Sequence, residues 1–428
     1  MKIKVISRSE SDYLKERKGD VDKVHHNLNP VHHPFERARE YKRALNAVKL
    51  DKIFAKPFVG ALDGHSDGVW CTATSPKSLV CFLSGACDGE VRIWDLPTQK
   101  TVWSVYAHKK FVRGITVDKT GTSFISCSDD GTIKQYLLNM DAGGGIEAPE
   151  YQPDPLNVWT GKEAFYGIDH SWEDDVFATC SSVIQLWSVH KSQPMHTFTF
   201  GHEHFRSIQF NPGESSVLAA CSNDRSISLF DVRTSSTLRK VTLRMCSNAI
   251  SWNPREPMNF TVANEDYNLY TFDMRNLEKP LVTHMGHVGA VMSVAYSSTG
   301  REFVSGSYDR TVRLWNRGNI HSRDVYHGKR MQRVYTANYS ADSKFIISGS
   351  DDTNLRIWKA RASEMLEKPL PRQQQKLDYY NKLKQRYAAQ PEIRRIANHH
   401  HVPKVIMKMG HKQRHEKHKE QPTFDVQE

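Results

Sequence analysis

The sequence contains no apolar run approaching the roughly 20 residues that a membrane helix needs, and its mean hydropathy is −0.61. A helical membrane-spanning protein is excluded. Behind the charges of Met1-Lys2-Ile3-Lys4-Val5-Ile6-Ser7-Arg8 there is no apolar stretch, so no secretory signal is expected. The seven cysteines, Cys71, Cys81, Cys87, Cys127, Cys180, Cys221 and Cys246, are odd in number and form no CxxC pair. That argues against a disulfide framework or a zinc ribbon and fits the reduced thiols of an intracellular protein. There is also no GxxxxGK[ST], no HExxH and no GxGxxG leading into a helix. Nucleotide hydrolysis and protease chemistry therefore have no motif to rest on.

What the chain does have is bulk. Its 428 residues include nine Trp, 18 Phe and 16 Tyr, enough for a large core. The net charge of +11 is unevenly placed: residues 1–56 carry +6, residues 361–428 carry +7, and the 57–360 body carries −2. Ten of the 21 histidines also lie in the two extensions. A local basic excess favours polyanions, RNA first, through counterion release; the plain alternative is a pair of solvated tails.

An internal repeat decides the architecture. Seven segments end in an aromatic within a similar apolar strand, at Trp94, Tyr136, Trp187, Phe230, Phe272, Trp315 and Trp358. The spacings are 42, 51, 43, 42, 43 and 43, the period of a WD40 propeller blade. Six of the seven have an Asp six residues earlier: Asp88, Asp130, Asp224, Asp266, Asp309 and Asp352. Four have a Gly-His or Ala-His 28 or 29 residues earlier, ending at His65, His108, His202 and His287. Short alternating runs bounded by Gly, Asp, Asn and Ser read as half-buried antiparallel strands. One blade cannot cover both of its faces, whereas seven stacked radially can. The segment Pro57-Phe58-Val59-Gly60-Ala61-Leu62 has no blade before it and is expected to close the ring as the outer strand of the last blade. Gly143, Gly144, Gly145, Pro149, Pro153 and Pro155 mark a loop over 139–155 that accounts for the 51-residue gap. Blade three is degenerate, with neither the Asp nor the Gly-His.

His65, Ser84, Asp88 and Trp94 in blade one, and His287, Ser305, Asp309 and Trp315 in blade six, superficially resemble a hydrolytic triad. The set recurs at blade spacing, without the Trp in blade two (His108, Ser126, Asp130). A nucleophile is needed once, while a hydrogen-bonded brace is needed blade by blade. These residues are read as structural tetrads, and no catalytic residue is assigned. His25-His26, His32-His33 and His399-His400-His401 lack accompanying cysteines and defined ligand spacing, so neither a metal site nor a cofactor is expected.

In the N-terminal extension, Phe35, Tyr41 and Leu45 form the apolar edge of a helix after Pro34, which either packs on the propeller or docks on a neighbour. In the tail, Gln373 to Tyr387 reads as a helix, and Pro391 suits the first position of a second one. Ile393, Ile396, Val405 and Ile406, interleaved with Arg394, Arg395, Lys404 and Lys408, favour a tail that folds on a partner and offers cations to phosphates. Its basic runs also suit nuclear import.

Several stretches together are specific. They are Leu28-Asn29-Pro30, His33-Pro34-Phe35-Glu36, Arg39-Glu40-Tyr41, Arg43-Ala44-Leu45-Asn46-Ala47 and Phe54-Ala55-Lys56-Pro57-Phe58 at the front, with Tyr270-Thr271-Phe272-Asp273-Met274-Arg275 and Pro391-Glu392-Ile393-Arg394-Arg395-Ile396-Ala397 further on. With them the chain resembles, over nearly its whole length, the Sof-one family of WD40 subunits of the small-subunit processome, whose members are also called DDB- and cullin-4-associated factors of type 13. The resemblance implies an all-β, seven-bladed WD40 β-propeller over 57–360, with 57–62 as its closing strand, a basic N-terminal extension over 1–56 and a basic helical C-terminal tail over 361–428. It implies a non-enzymatic assembly factor in 18S pre-rRNA processing and 40S subunit biogenesis, in the nucleus and nucleolus. Its partners would be pre-rRNA, small nucleolar RNA and other processome proteins, with no membrane and no small-molecule substrate. Arg394, Arg395, Lys404 and Lys408 would inherit the processome contacts.

A second role comes with the family's other name, that of substrate receptor in a cullin-4 RING ubiquitin ligase, bound through the DDB adaptor. Its aromatic-Asp-Xaa-Arg box would be Phe230-Asp231-Val232-Arg233 and Phe272-Asp273-Met274-Arg275, with Phe where the motif usually has Trp. The plain alternative for Arg233 and Arg275 is a surface pair with a neighbouring acid.

Overall fold

A computed structural model describes residues 18, 29–138, 154–199, 204–234 and 237–420, without the side chains of Pro30 and of 414–420. Most of the loop expected over 139–155, together with His25, His26 and His202, lies outside the described residues. The chain divides into two compact units, one of residues 1–56 with 363–399 and the other of 57–362 with 400–428. The tail expected over 361–428 thus contributes to both units.

The larger unit is a seven-bladed β-propeller of seven four-stranded sheets. Its innermost strands are Val69–Thr74, Val112–Val117, Gly167–His170, Phe205–Phe210, Ser247–Trp252, Val291–Tyr296 and Val334–Tyr339. Each neighbours the next, and the last returns to the first. Second strands are covered on both faces, so every residue of Cys81–Ala86, Ser123–Ser128 and Val217–Ser222 is buried. Outer strands such as Thr237–Thr242 are largely exposed.

The repeated aromatic sits in each third strand, opposite an apolar partner in the second. Trp94 faces Phe82, Tyr136 faces Phe124, Trp187 faces Phe177, and Trp315 faces Phe303. The Phe303 and Trp315 rings stack at 6.1 Å and 11°, the offset geometry that aromatic pairs prefer. The repeated Asp precedes a residue of positive φ in all six blades that have it: Gly89 at 90°, Gly131 at 74°, Arg225 at 68°, Tyr267 at 73°, Arg310 at 63° and Thr353 at 69°. In five of them an Asp Oδ1 accepts the backbone N–H two residues on, at 2.9–3.0 Å. This local bond lets non-glycine residues hold the left-handed turn. Blade three, lacking the Asp, turns instead at Ser181, whose N–H donates to the Val183 carbonyl at 2.9 Å.

The strand Phe58–Leu62 pairs antiparallel with Leu355–Lys359, with Leu62 opposite Leu355, and forms the outer edge of the last blade. An N-terminal strand thus completes the four-stranded sheet made by the C-terminal end of the ring.

The smaller unit holds helices α1 (Glu36–Ile53), α2 (Pro371–Arg386) and α3 (Pro391–Ala397). Proline begins both α2 and α3, where its missing N–H costs nothing. Ala44 and Val48 of α1 share a core with Leu383 and Ile393, flanked by Tyr41, Leu45, Tyr380, Tyr387 and Ile396. The sequence left α1 either on the propeller or on a foreign neighbour; its apolar face is instead met by α2 and α3 of the same chain. Phe35 stays outside this core and is exposed. Polar pairs fix the packing: the Tyr41 hydroxyl donates to Glu392 at 2.8 Å, the Tyr387 hydroxyl and Arg386 each reach Glu40 at 2.9 Å, and Lys384 pairs with Asp51.

A fourth helix, α4 (Lys404–Glu420), belongs to the propeller unit. The Gln413 side chain donates to the Val288 carbonyl at 3.0 Å, and the His401 ring stacks on His327 at 5.5 Å.

Candidate functional site

The residues that resembled a triad are built into the blade interiors. In blade six, His287 Nε2 meets Ser305 Oγ at 2.7 Å, Trp315 Nε1 donates to the same oxygen at 2.8 Å, and His287 Nδ1 faces Asp309 at 2.9 Å. In blade one, His65 Nε2 meets Ser84 Oγ at 2.6 Å and Trp94 Nε1 donates to it at 2.7 Å. The acid differs from the expected one. His65 Nδ1 faces Glu90 at 3.1 Å, while Asp88 takes the Ser66 hydroxyl. The cause is local. Where blades two and six carry Thr132 and Thr311 two residues after the Asp, blade one carries Glu90. Its longer side chain reaches the imidazole first and is paired in turn with Arg92 at 2.7 Å.

Ser84 and Ser305 have no exposed surface, and each hydroxyl already serves a His and a Trp, so neither is placed to attack a substrate. Burial lowers the His65 and His287 pKa values, against the pull of Glu90 and Asp309 respectively. Both rings are neutral near pH 7. Burial opposes the Asp309 charge, yet the His287 ring, Arg313 and Thr311 together hold its carboxyl below the ordinary range.

Other blades make the brace in their own ways, and Ser348 lies ten residues before Trp358 as Ser84 does before Trp94 and Ser305 before Trp315. Thr179 takes the Trp187 N–H at 2.9 Å in blade three, and Ser348 takes that of Trp358 at 2.8 Å in blade seven. In blade five, buried His284 reaches Thr271 at 3.0 Å and the Asn319 carbonyl at 2.7 Å. Thr179 and Thr271 break that offset, and only the register of their strands would have found them.

The two candidate adaptor boxes straddle the ends of the third strands of blades four and five, Ser226–Asp231 and Leu269–Asp273. Asp231 accepts the Arg233 N–H at 2.8 Å, and Asp273 accepts the Arg275 N–H at 2.9 Å. The Arg275 guanidinium folds back on Asp273 at 2.8 Å, although its side chain remains 71 % exposed. Its hydrogen bonds keep the Asp273 carboxyl below the usual range. Arg233 is also exposed.

The four tail cations fall in two units. Arg394 and Arg395 sit exposed on α3 in the helical unit, whereas Lys404 and Lys408 sit exposed one turn apart on α4 in the propeller unit. Of the histidine runs, His401 makes the contact with His327 described above. Among the described residues no group of three or more potential metal ligands gathers.

Seven four-stranded blades with an aspartate at the tight turn of six define a WD-repeat β-propeller, a scaffold fold. Residues 56–95, 99–136, 192–231, 278–316 and 322–359 match the WD domain, G-beta repeat family, and residues 360–422 match the Sof1-like domain. Neither match is to a catalytic family. The "DDB1- and CUL4-associated factor 13" of Danio rerio is 48 % identical over 409 residues, covering 95 % of this chain and 90 % of that protein. The Homo sapiens protein of the same name is 47 % identical over 414 residues (97 % and 92 %). "Protein SOF1" of Saccharomyces cerevisiae is 43 % identical over 425 residues (95 % and 87 %). The chain belongs to this Sof1 family of WD-repeat proteins.

Proposed function

We propose that the chain is a non-enzymatic assembly factor of the small-subunit processome, acting in the nucleolus in 18S pre-rRNA processing and 40S subunit biogenesis beside a small nucleolar ribonucleoprotein. The observation that carries this reading is the tail. The Sof1-like domain match falls on α2, α3 and α4, outside the blades that many unrelated proteins share. The tail exposes Arg394, Arg395, Lys404 and Lys408 to solvent, as cations that contact RNA phosphates or partner proteins must be. The propeller supplies a rigid disc, and the basic elements supply the reach.

Removing 361–428 is a poor test, because α2 and α3 complete the core around α1. The informative variant is Arg394→Glu with Arg395→Glu, Lys404→Glu and Lys408→Glu, all at exposed positions. The 18S precursor should accumulate while the protein stays folded. Normal precursor levels with a folded variant would refute the reading.

A second reading, substrate receptor of a cullin-4 RING ligase through the DDB adaptor, is favoured by one observation. Arg233 and Arg275 occupy equivalent exposed places in consecutive blades, and relatives carry the name quoted above. Replacing both with Ala should abolish adaptor binding without unfolding; unchanged binding would remove this reading.

A further inference from the structure

Around the end of the ring where the chain enters its innermost strands, a ladder of rings and guanidinium groups runs across blades six, seven, one and two. The Arg113 guanidinium, held by Asp129 through two hydrogen bonds at 2.8 and 2.7 Å, lies 4.6 Å from the Trp70 ring and 5.3 Å from that of Phe111. Trp70 faces Tyr335 at 4.9 Å, Tyr335 meets Tyr308 edge-on at 6.0 Å, and Arg333 lies 5.4 Å from the Tyr308 ring. Trp70, Arg113 and Tyr335 hold the same place in three consecutive blades. Each falls at a bulge where the innermost strand skips a pairing with the second. A bulge re-aims a side chain out of the sheet, which gathers the three into one row.

None of these six residues takes part in the braces, and the ladder's ends are open to solvent: Phe111 is 41 % and Tyr308 is 37 % exposed. Each end is continued by an exposed basic pair, Lys109-Lys110 before Phe111 and Lys329-Arg330 before Arg333. The tail rests on loops of the same set, α4 through Gln413 on Val288 before Val291–Tyr296, and His401 just ahead of α4 on His327 before Val334–Tyr339.

We propose that this ladder is a stacking platform for single-stranded RNA, with bases on the Phe111 and Tyr308 rings and phosphates on the lysines and arginines at either end. Aromatic faces set between cations are what sequence-tolerant single-strand binding uses. Asp351, beside Tyr335, places negative charge mid-ladder, so the phosphates are taken at the ends, and the carboxylate is left to accept from a base amino group. Which RNA the platform meets rests on the pre-rRNA reading above.

The test uses the full chain and a fluorescein-labelled oligouridylate of about ten nucleotides. Binding is measured in the unaltered protein and in one with Arg394, Arg395, Lys404 and Lys408 changed to Ala, so that the tail does not mask the ladder. Phe111→Ala with Tyr308→Ala should weaken binding by about tenfold or more in both backgrounds. Phe111→Tyr with Tyr308→Phe should restore it, since stacking survives while the side chains change. Unchanged affinity in the alanine variant would overturn the platform. The two readings separate cleanly. Unchanged oligonucleotide affinity with RNase-sensitive sedimentation of the same variant would sink the ladder and spare the assembly factor. Weakened affinity in a protein whose slow sedimentation ignores RNase would do the reverse.

Discussion

Thr72 and Thr336 meet hydroxyl to hydroxyl at 2.8 Å across the seam between the first and last blades. Asn338 adds to the seam by donating from Nδ2 to the Thr72 carbonyl and hydroxyl, each at 2.8 Å. Together with the strand Phe58–Leu62, these contacts tie together residues more than 260 apart in sequence.

The seam should therefore be a measurable contributor to stability. Asn338→Ala removes two hydrogen bonds and should cost about 1 kcal/mol. Leu62→Ala empties a fully buried position in the closing strand and should cost about 3 kcal/mol. Urea unfolding midpoints measure both; a negligible shift for Leu62→Ala would mean that the strand does not close the ring.

Ser305→Ala should act on stability alone. It leaves the His287 and Trp315 ring nitrogens unpaired in a buried site, at about 1–3 kcal/mol for each unsatisfied group. Ser84→Ala should behave alike. Loss of a catalytic turnover in a mutant that keeps its unfolding midpoint would contradict the brace.

Acid should destabilise the propeller. Burial lowers the pKa values of His65, His284 and His287, so each contributes stability that is present above the unfolded value, about 6.5, and is lost as pH falls below it. Asp169 opposes them. Burial pushes its carboxyl up to about 7, despite the Phe210 N–H at 2.7 Å, so the folded protein takes up one proton there as pH falls. With three histidines against one carboxylate, the unfolded chain takes up more protons than the folded one as pH falls below the histidine range, so stability should fall with pH there. His287→Gln removes one of the three groups and should make the pH dependence shallower. Stability that rises between pH 6.5 and 5.5 would contradict this assignment.

The helical unit makes its own prediction. Ile393 and Leu383 are buried against α1, and changing either to Ala should cost about 2–3 kcal/mol. The loss should appear in the helical circular-dichroism signal, with little change in the fluorescence of the propeller tryptophans. An unaltered helical melt would show that α1 does not depend on the tail.

Much of this architecture was legible because each feature repeats. Seven aromatics at one period and six aspartates at one offset encode strands and turns redundantly, and the leftover strand before His65 had only one place to go. The brace around His65 was misread because the rule that serves blades two and six fails where Glu90 replaces a threonine. The partner of α1 was illegible for a different reason. Its apolar face is complementary to helices more than 300 residues away, and a short amphipathic edge does not say what covers it. The aromatic ladder was hidden because its members belong to different blades and are brought together by bulges, which have no signature in a single strand.

Sedimentation of the tagged protein from nuclear extract on a density gradient, with and without RNase, tests the account most directly. The assembly-factor reading predicts fast sedimentation that collapses on RNase treatment, as for a subunit of a large pre-ribosomal particle. Slow sedimentation that ignores RNase would contradict it and bring the ligase-receptor reading forward.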